Sequence, residues 1–225
     1  MNRQELASLL DHSLLKPEAT EREILDQVEV VRQWRIGFFC VQPSFVSLVA
    51  GALRGSGSRV VSVVGFPHGC DRSTVQAHAA ELAVRDGAAE VDMVMNVGRL
   101  KSGRSQAVAD AIAQVVRAVP GTPVKVILET CLLTQEEKVA ACRLVRDSGA
   151  AFVKTSTGFH PAGGATVADV RLLRATVGPE FGVKAAGGIR SLADAMAMLE
   201  AGANRLGTSA SAAILAAVAS TETSE

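Results

Sequence analysis

The chain runs to 225 residues, 48% hydrophobic and 20% charged, enough for one globular domain with a sizeable core. Its 23 basic and 23 acidic side chains cancel, which removes any general pull toward nucleic acid or an anionic membrane. The four cysteines form no Cys-x-x-Cys pair and the four histidines show no metal-ligand spacing, so reduced thiols and no metal or cofactor are expected. The opening Met-Asn-Arg-Gln-Glu-Leu is too polar for a secretory signal, and no apolar run approaches the ~20 residues of a membrane span. A cytoplasmic protein is expected.

Along the chain, short β-branched runs alternate with longer Ala/Leu/Glu/Arg segments. A weak apolar run precedes His12. Stronger ones lie near residues 37–41, 59–65, 90–95, 124–129, 151–155, 182–186 and 204–207. Short, nearly continuous apolar runs suit parallel strands covered on both faces. Between them, Thr20–Arg35 opens with a capping-box spacing, Thr20 and Glu23, and places Ile24, Val28 and Val31 on one side. Further helices are expected at Asp71–Asp86, Gly98–Val119, Thr134–Ser148 and Ser191–Ala201, several ending at a glycine. Eight strand–helix units in this length predict a single-domain (β/α)8 barrel of the TIM type over residues 1–225. A short N-terminal helix and a frayed tail from about residue 220 complete it. An open doubly wound sheet is the alternative.

In such a barrel the C-terminal strand ends face the active site. Lys154, in Phe-Val-Lys-Thr-Ser-Thr-Gly, and Lys184, in Gly-Val-Lys-Ala-Ala-Gly-Gly, end the sixth and seventh apolar runs. An ammonium is costly to bury without a partner. Two in one site disfavour each other's charge and push one toward the neutral amine, the form that attacks a carbonyl to give a Schiff base. Asp92 lies in an apolar run where alternation puts Asp92, Val94 and Asn96 on one face, and it can pair with either lysine. Lys154 is read as the nucleophile and Lys184 as the charge that tunes it. Spacing alone leaves the reverse open.

Phosphate binding is expected at the last two loops. Gly187 and Gly188 allow close backbone approach, a helix from about Ser191 offers free amides, and Gly207, Thr208 and Ser209 add amides and hydroxyls, with Gly158 contributing from the sixth loop. Asp11 and Ser13 form a candidate relay toward a bound carbonyl, with Cys40 beside them, although packing is the better account of the cysteine. Glu129 and Thr130 either orient a lysine or support the scaffold. His12, His68, His78 and His160 are more often structural than catalytic.

Taken together, Asp11-His12-Ser13-Leu14-Leu15-Lys16-Pro17, Phe39-Cys40-Val41-Gln42-Pro43, Val64-Gly65-Phe66-Pro67-His68-Gly69 and Glu90-Val91-Asp92-Met93-Val94 resemble the deoxyribose-phosphate aldolase family. So do Lys125-Val126-Ile127-Leu128-Glu129-Thr130, Lys154-Thr155-Ser156-Thr157-Gly158 and Val183-Lys184-Ala185-Ala186-Gly187-Gly188-Ile189, and the likeness runs from about residue 6 to 212. The resemblance implies a metal-free class I aldolase that reversibly cleaves 2-deoxy-D-ribose 5-phosphate to D-glyceraldehyde 3-phosphate and acetaldehyde. It implies the imine at Lys154, assistance from Lys184 and proton handling by Asp92. It is this likeness, not the spacing, that separates the two lysines. It further implies phosphosugar and aldehyde substrates and no nucleic-acid or membrane partner, while barrels of this kind commonly form a homodimer. Three departures stand out. Ser13 occupies a position where many members have Thr, Phe159 replaces a lysine of some members, and the chain has no Tyr for a C-terminal tail. The rival readings are a class I aldolase for another phosphorylated sugar and a non-catalytic phosphosugar-binding barrel.

Overall fold

The computed structural model describes the backbone of residues 1–222 and the side chains of residues 1–218. Of the tail expected to fray from about residue 220, residues 220–222 continue the last helix and 223–225 lie outside the described residues. Eight strands close into one barrel in sequence order, and every pairing is parallel. They are β1 (Leu10–Leu14), β2 (Phe38–Val41), β3 (Arg59–Val64), β4 (Glu90–Val94), β5 (Val124–Ile127), β6 (Phe152–Lys154), β7 (Gly182–Ala186) and β8 (Arg205–Thr208). β2, β4, β5, β7 and β8 are buried at every residue, as strands covered by helices outside and side chains inside must be.

Around the barrel run α1 (Arg3–Ser8), α2 (Glu21–Gln33), α3 (Val46–Ala52), α4 (Ser73–Arg85), α5 (Val97–Lys101), α6 (Ser105–Ala118), α7 (Gln135–Asp147), α8 (Val167–Val177), α9 (Leu192–Glu200) and α10 (Ser211–Glu222). Capping boxes start α2, α7 and α9 through Thr20/Glu23, Thr134/Glu137 and Ser191/Asp194, satisfying amides a helix start leaves free. The apolar side of α2, Ile24, Val28 and Val31, packs into the main core between helices and barrel.

Two expectations are corrected. The helix read as Gly98–Val119 is two, α5 and α6, broken at Ser102–Arg104, where Gly103 takes φ 70. The backbone there leaves the helical region for one that suits glycine, and the apolar periodicity carries no trace of it. The first strand does not end before His12 but contains it. Asp11 therefore faces the barrel interior, while His12 faces outward. Its Nδ1 lies 3.1 Å from Ser211 Oγ, its Nε2 2.8 Å from Gln27 Oε1, and its ring packs on Phe39.

The interior is divided. On the β2–β3 side a small apolar cluster holds Phe38, Cys40, Val61 and Val63, with Leu15 from the loop after β1. On the other side the interior is ionic.

Candidate active site

Asp92, in the middle of β4, is the hub of that ionic side. Its Oδ2 accepts hydrogen bonds from Lys154 Nζ at 2.7 Å and from Lys184 Nζ at 2.7 Å. The two ammoniums share one oxygen, so they stand no further apart than two such bonds laid end to end. Residue register explains the meeting: Lys154 on β6 and Lys184 on β7 are direct cross-strand partners. Asp92 is paired in turn with Lys125 on β5, and Lys125 Nζ donates to Asp92 Oδ1 at 2.9 Å.

Beneath this lies a layer that the sequence reading did not single out. Lys125 Nζ also lies 2.5 Å from Glu90 Oε2. Arg205 donates to Asp11 Oδ1 at 2.9 Å and to Glu90 at 3.2 Å, with its guanidinium 3.6 Å from the centre of the Phe38 ring. Lys184 also donates to Asp11 Oδ2. Four cations, Lys125, Lys154, Lys184 and Arg205, are thus interlocked with three carboxylates, Asp11, Glu90 and Asp92. Alternation offered a signal: Lys125 and Arg205 are lone cations in apolar runs, each on an inward position.

Burial and charge move the two lysines in opposite directions. Burial pushes Lys154 below the usual lysine range; Asp92 opposes this and Lys184 reinforces it. Burial also works against the Lys184 ammonium, but Asp11 and Asp92 outweigh it and hold its proton above the usual range. The expected mutual repulsion is present, yet desolvation is the larger cause for Lys154. Burial alone would raise Asp92, but Lys125, Lys154 and Lys184 keep its carboxyl well below the ordinary range.

Above the lysines opens a cavity of about 370 Å³. Lys154, Lys184, Asp11, Ser13 and Cys40 line it, as do Gly158, Gly187, Gly188, Gly207, Thr208 and Ser209. Lys16 and Arg190, two exposed cations not anticipated, also line it. Asp92 is wholly buried and lines none of it; it reaches the cavity only through the ammoniums that cover it. Phe159 lines the cavity, its ring edge-to-face with Phe66 at 5.2 Å.

Several expected roles change. At the start of α9 the amides of Arg190 and Ser191 are already taken, since the Asp194 carboxylate accepts from them at 3.0 and 2.9 Å. The Thr208 hydroxyl donates to Ile189 O at 2.7 Å and accepts from Ala210 N at 2.9 Å, so it ties two loops together. Gly207 gives Lys184 room, since a Cβ there would lie 3.2 Å from Lys184 Cε and 2.9 Å from Ala186 Cβ. In the Thr-Ser-Thr stretch after Lys154 the two threonines are braced into the scaffold, although Thr157 also lines the cavity. Thr155 bonds the Ala186 backbone in both directions, and Thr157 donates through both its amide and its hydroxyl to Glu129. Glu129 accordingly supports this loop, while the ion-pair partners of Lys154 and Lys184 are Asp92 and Asp11. Asn96 lies beyond β4 and caps α5 through Arg99 N, so it does not share the face of Asp92. Cys40 is a neutral thiol, pushed up to about 11 by burial and then Asp92, unsuited to relaying protons near neutrality.

The model of the DeoC/LacD family of aldolases matches residues 4–217. The chain belongs to that family. It is 53% identical over 210 residues to the deoxyribose-phosphate aldolase of Streptococcus sanguinis, covering 93% of this chain and 95% of that one. Among solved structures, the aldolase QR15 superposes with a TM-score of 0.92 at 37% identity, over 96% of this chain and 97% of that one. The deoxyribose-phosphate aldolase of Aeropyrum pernix, described as a tetramer, gives a TM-score of 0.89 at 32% identity, over 98% and 93%. The chain is an aldolase of the deoxyribose-phosphate kind, and the barrel fold expected from its sequence is the family's own. Among its described residues, no helix is long and apolar enough to cross a membrane.

Proposed function

We propose that this aldolase cleaves 2-deoxy-D-ribose 5-phosphate reversibly to D-glyceraldehyde 3-phosphate and acetaldehyde through an imine on Lys154. The observation that carries this is the pair of buried ammoniums on one oxygen of Asp92, with the Lys154 proton loosened and the Lys184 proton tightened. The neutral Lys154 amine adds to the C1 aldehyde, and loss of water leaves an iminium. The C3 hydroxyl gives up its proton, the C2–C3 bond breaks, and its electron pair flows into the iminium nitrogen to leave an enamine. D-Glyceraldehyde 3-phosphate departs. Protonation of C2 and hydrolysis then release acetaldehyde and restore Lys154. Proton transfers of this kind belong to groups held beside the reacting atoms. Here those are Lys184, which lines the cavity, and Asp92, whose Oδ2 still holds the Lys184 ammonium when Lys154 becomes the iminium.

The glycine-lined end, with Gly158, Gly187, Gly188 and Ser209, suits the phosphate. Lys16 and Arg190 supply positive charge there in place of the lysine that Phe159 replaces. Positioning by the phosphate orients the reacting carbons. Asp11 is read as the anchor of Lys184, and Ser13 as a hydroxyl neighbour of the bound carbonyl. The protein is read as cytoplasmic and as an assembly of identical copies. A homodimer is the assembly expected, and light scattering would separate it from the tetramer described for the Aeropyrum pernix enzyme. The functional test is retro-aldol turnover. Release of D-glyceraldehyde 3-phosphate from 2-deoxy-D-ribose 5-phosphate, without added metal and unaffected by chelator, is expected. Imine trapping with dihydroxyacetone phosphate but not with acetaldehyde would assign the chain to another phosphosugar.

A further inference from the structure

The ionic half of the interior accounts for the imine, but the apolar half has as yet no part in the reaction. In the closed eight-stranded order, β2 lies four strands from β6, so Cys40 stands across the barrel from Lys154. Cys40 and Leu15 are both buried, both line the cavity, and both belong to the interior apolar cluster with Phe38, Val61 and Val63. Any carbon chain bonded to Lys154 must project into the space between these two walls. On the ionic wall the acceptors are already committed. Asp92 Oδ1 takes Lys125, Asp92 Oδ2 takes Lys154 and Lys184, and Asp11 takes Arg205 and Lys184. On the other wall, Leu15 has no polar side-chain atom and Cys40 offers only a weakly hydrogen-bonding thiol; the Ser13 hydroxyl, cross-strand from Cys40, is taken by the reacting carbonyl oxygen in the reaction proposed above.

We infer that the Leu15–Cys40 wall is the element that selects a 2-deoxy sugar, by contacting C2 of the imine-bound substrate and leaving a 2-hydroxyl without a partner. The inference rests on the reaction proposed above. A substrate with a 2-hydroxyl must give up that group's water against this wall and gains no comparable hydrogen bond in return, a cost that works against binding and the transition state together. Apolar walls reject an added hydroxyl by only about a hundredfold, so the expected selectivity is of that order rather than absolute. In the direction of synthesis the same wall favours acetaldehyde over a 2-hydroxylated donor aldehyde.

The test compares 2-deoxy-D-ribose 5-phosphate with D-ribose 5-phosphate. Cleavage of either between C2 and C3 releases D-glyceraldehyde 3-phosphate, so one assay reads both kcat/KM values. The unaltered enzyme should favour the deoxy sugar by about a hundredfold. Cys40→Ser, which adds a hydrogen-bonding hydroxyl in nearly the same volume, should cut that ratio about tenfold, mainly by raising kcat/KM for ribose 5-phosphate. Cys40→Val, apolar and similar in size, should leave the ratio unchanged, and its circular dichroism should match that of the parent. Equal turnover of the two sugars by the unaltered enzyme, or a ratio that Cys40→Ser leaves unchanged or Cys40→Val collapses, would overturn the inference alone. No turnover of either sugar phosphate would overturn the functional proposal and this inference with it.

Discussion

The two halves of the barrel interior have the same strand geometry and opposite chemistry. On the β2–β3 side, Phe38, Cys40, Val61 and Val63 pack as an ordinary apolar core. From β4 round to β8 and β1, four cations and three carboxylates fill the equivalent space. The apolar half stabilises by removing surface from water and tolerates volume-conserving change. The ionic half is a costly way to fill a core, because buried pairs give back in attraction little more than they lose in solvation. What it supplies is a pair of amines with separated proton affinities, in a place where water is scarce.

The sharpest way to break this contrast is Lys154→Ala. Retro-aldol activity should fall by about 10⁴-fold or more, with circular dichroism unchanged, because the alanine removes a cation that Lys125 and Lys184 continue to replace on Asp92. Asp92→Asn comes next. Activity should drop by about 10²–10⁴-fold, the usual worth of a positioned proton-transfer group. The melting temperature should fall too, since three ammoniums lose their common counter-charge.

Lys125→Met separates the ionic layer's structural work from its chemistry. Glu90 and Asp92 lose a buried partner, and urea unfolding should report a loss of about 3–5 kcal/mol. Lys184→Leu should move the rising limb of the kcat/KM–pH profile to higher pH. The sign follows from Lys154 being active as the neutral amine. Its affinity for a proton is lowered by burial and then by Lys184, and removing that neighbouring charge restores part of it. The smallest effect belongs to the apolar half, where Val63→Ala should cost about 1–3 kcal/mol and leave the pH profile where it was. A profile that moved with Val63→Ala and not with Lys184→Leu would erase the distinction between the halves.

Acidification bears on the ionic half as well. Asp92 is held below its ordinary range, so the stability it contributes is complete above the usual carboxylate pKa, about 3.9. That stability is lost only as pH falls through the lowered value. Lys184 is displaced upward; its contribution is complete below the usual lysine range and is lost only as pH rises through the raised value. The interior network therefore persists across neutral pH.

The sequence made the barrel legible because strands buried on both faces read as short apolar runs, and capped helices announce their starts at Thr20, Thr134 and Ser191. It made Lys154, Lys184 and Asp92 legible because each is a charge where apolar residues belong. It did not bring out Lys125, Glu90 or Arg205 as partners, since which inward residues meet depends on how eight strands close, not on local spacing. The break at Gly103 escaped because the helical periodicity resumes in phase with the expectation. The occupied amides of Arg190 and Ser191 and the committed hydroxyl of Thr208 escaped for a different reason. A motif names the donors, but only folded loops decide whether Asp194 or Ile189 has already taken them.

The most direct measurement is borohydride reduction of the enzyme with acetaldehyde at neutral pH, followed by peptide mass spectrometry. The expected result is a single ethyl-sized mass increase on the peptide bearing Lys154, lost in Lys154→Ala. An adduct carried instead by Lys184, or trapping that persists undiminished in Lys154→Ala, would contradict the assignment of the loosened proton to Lys154.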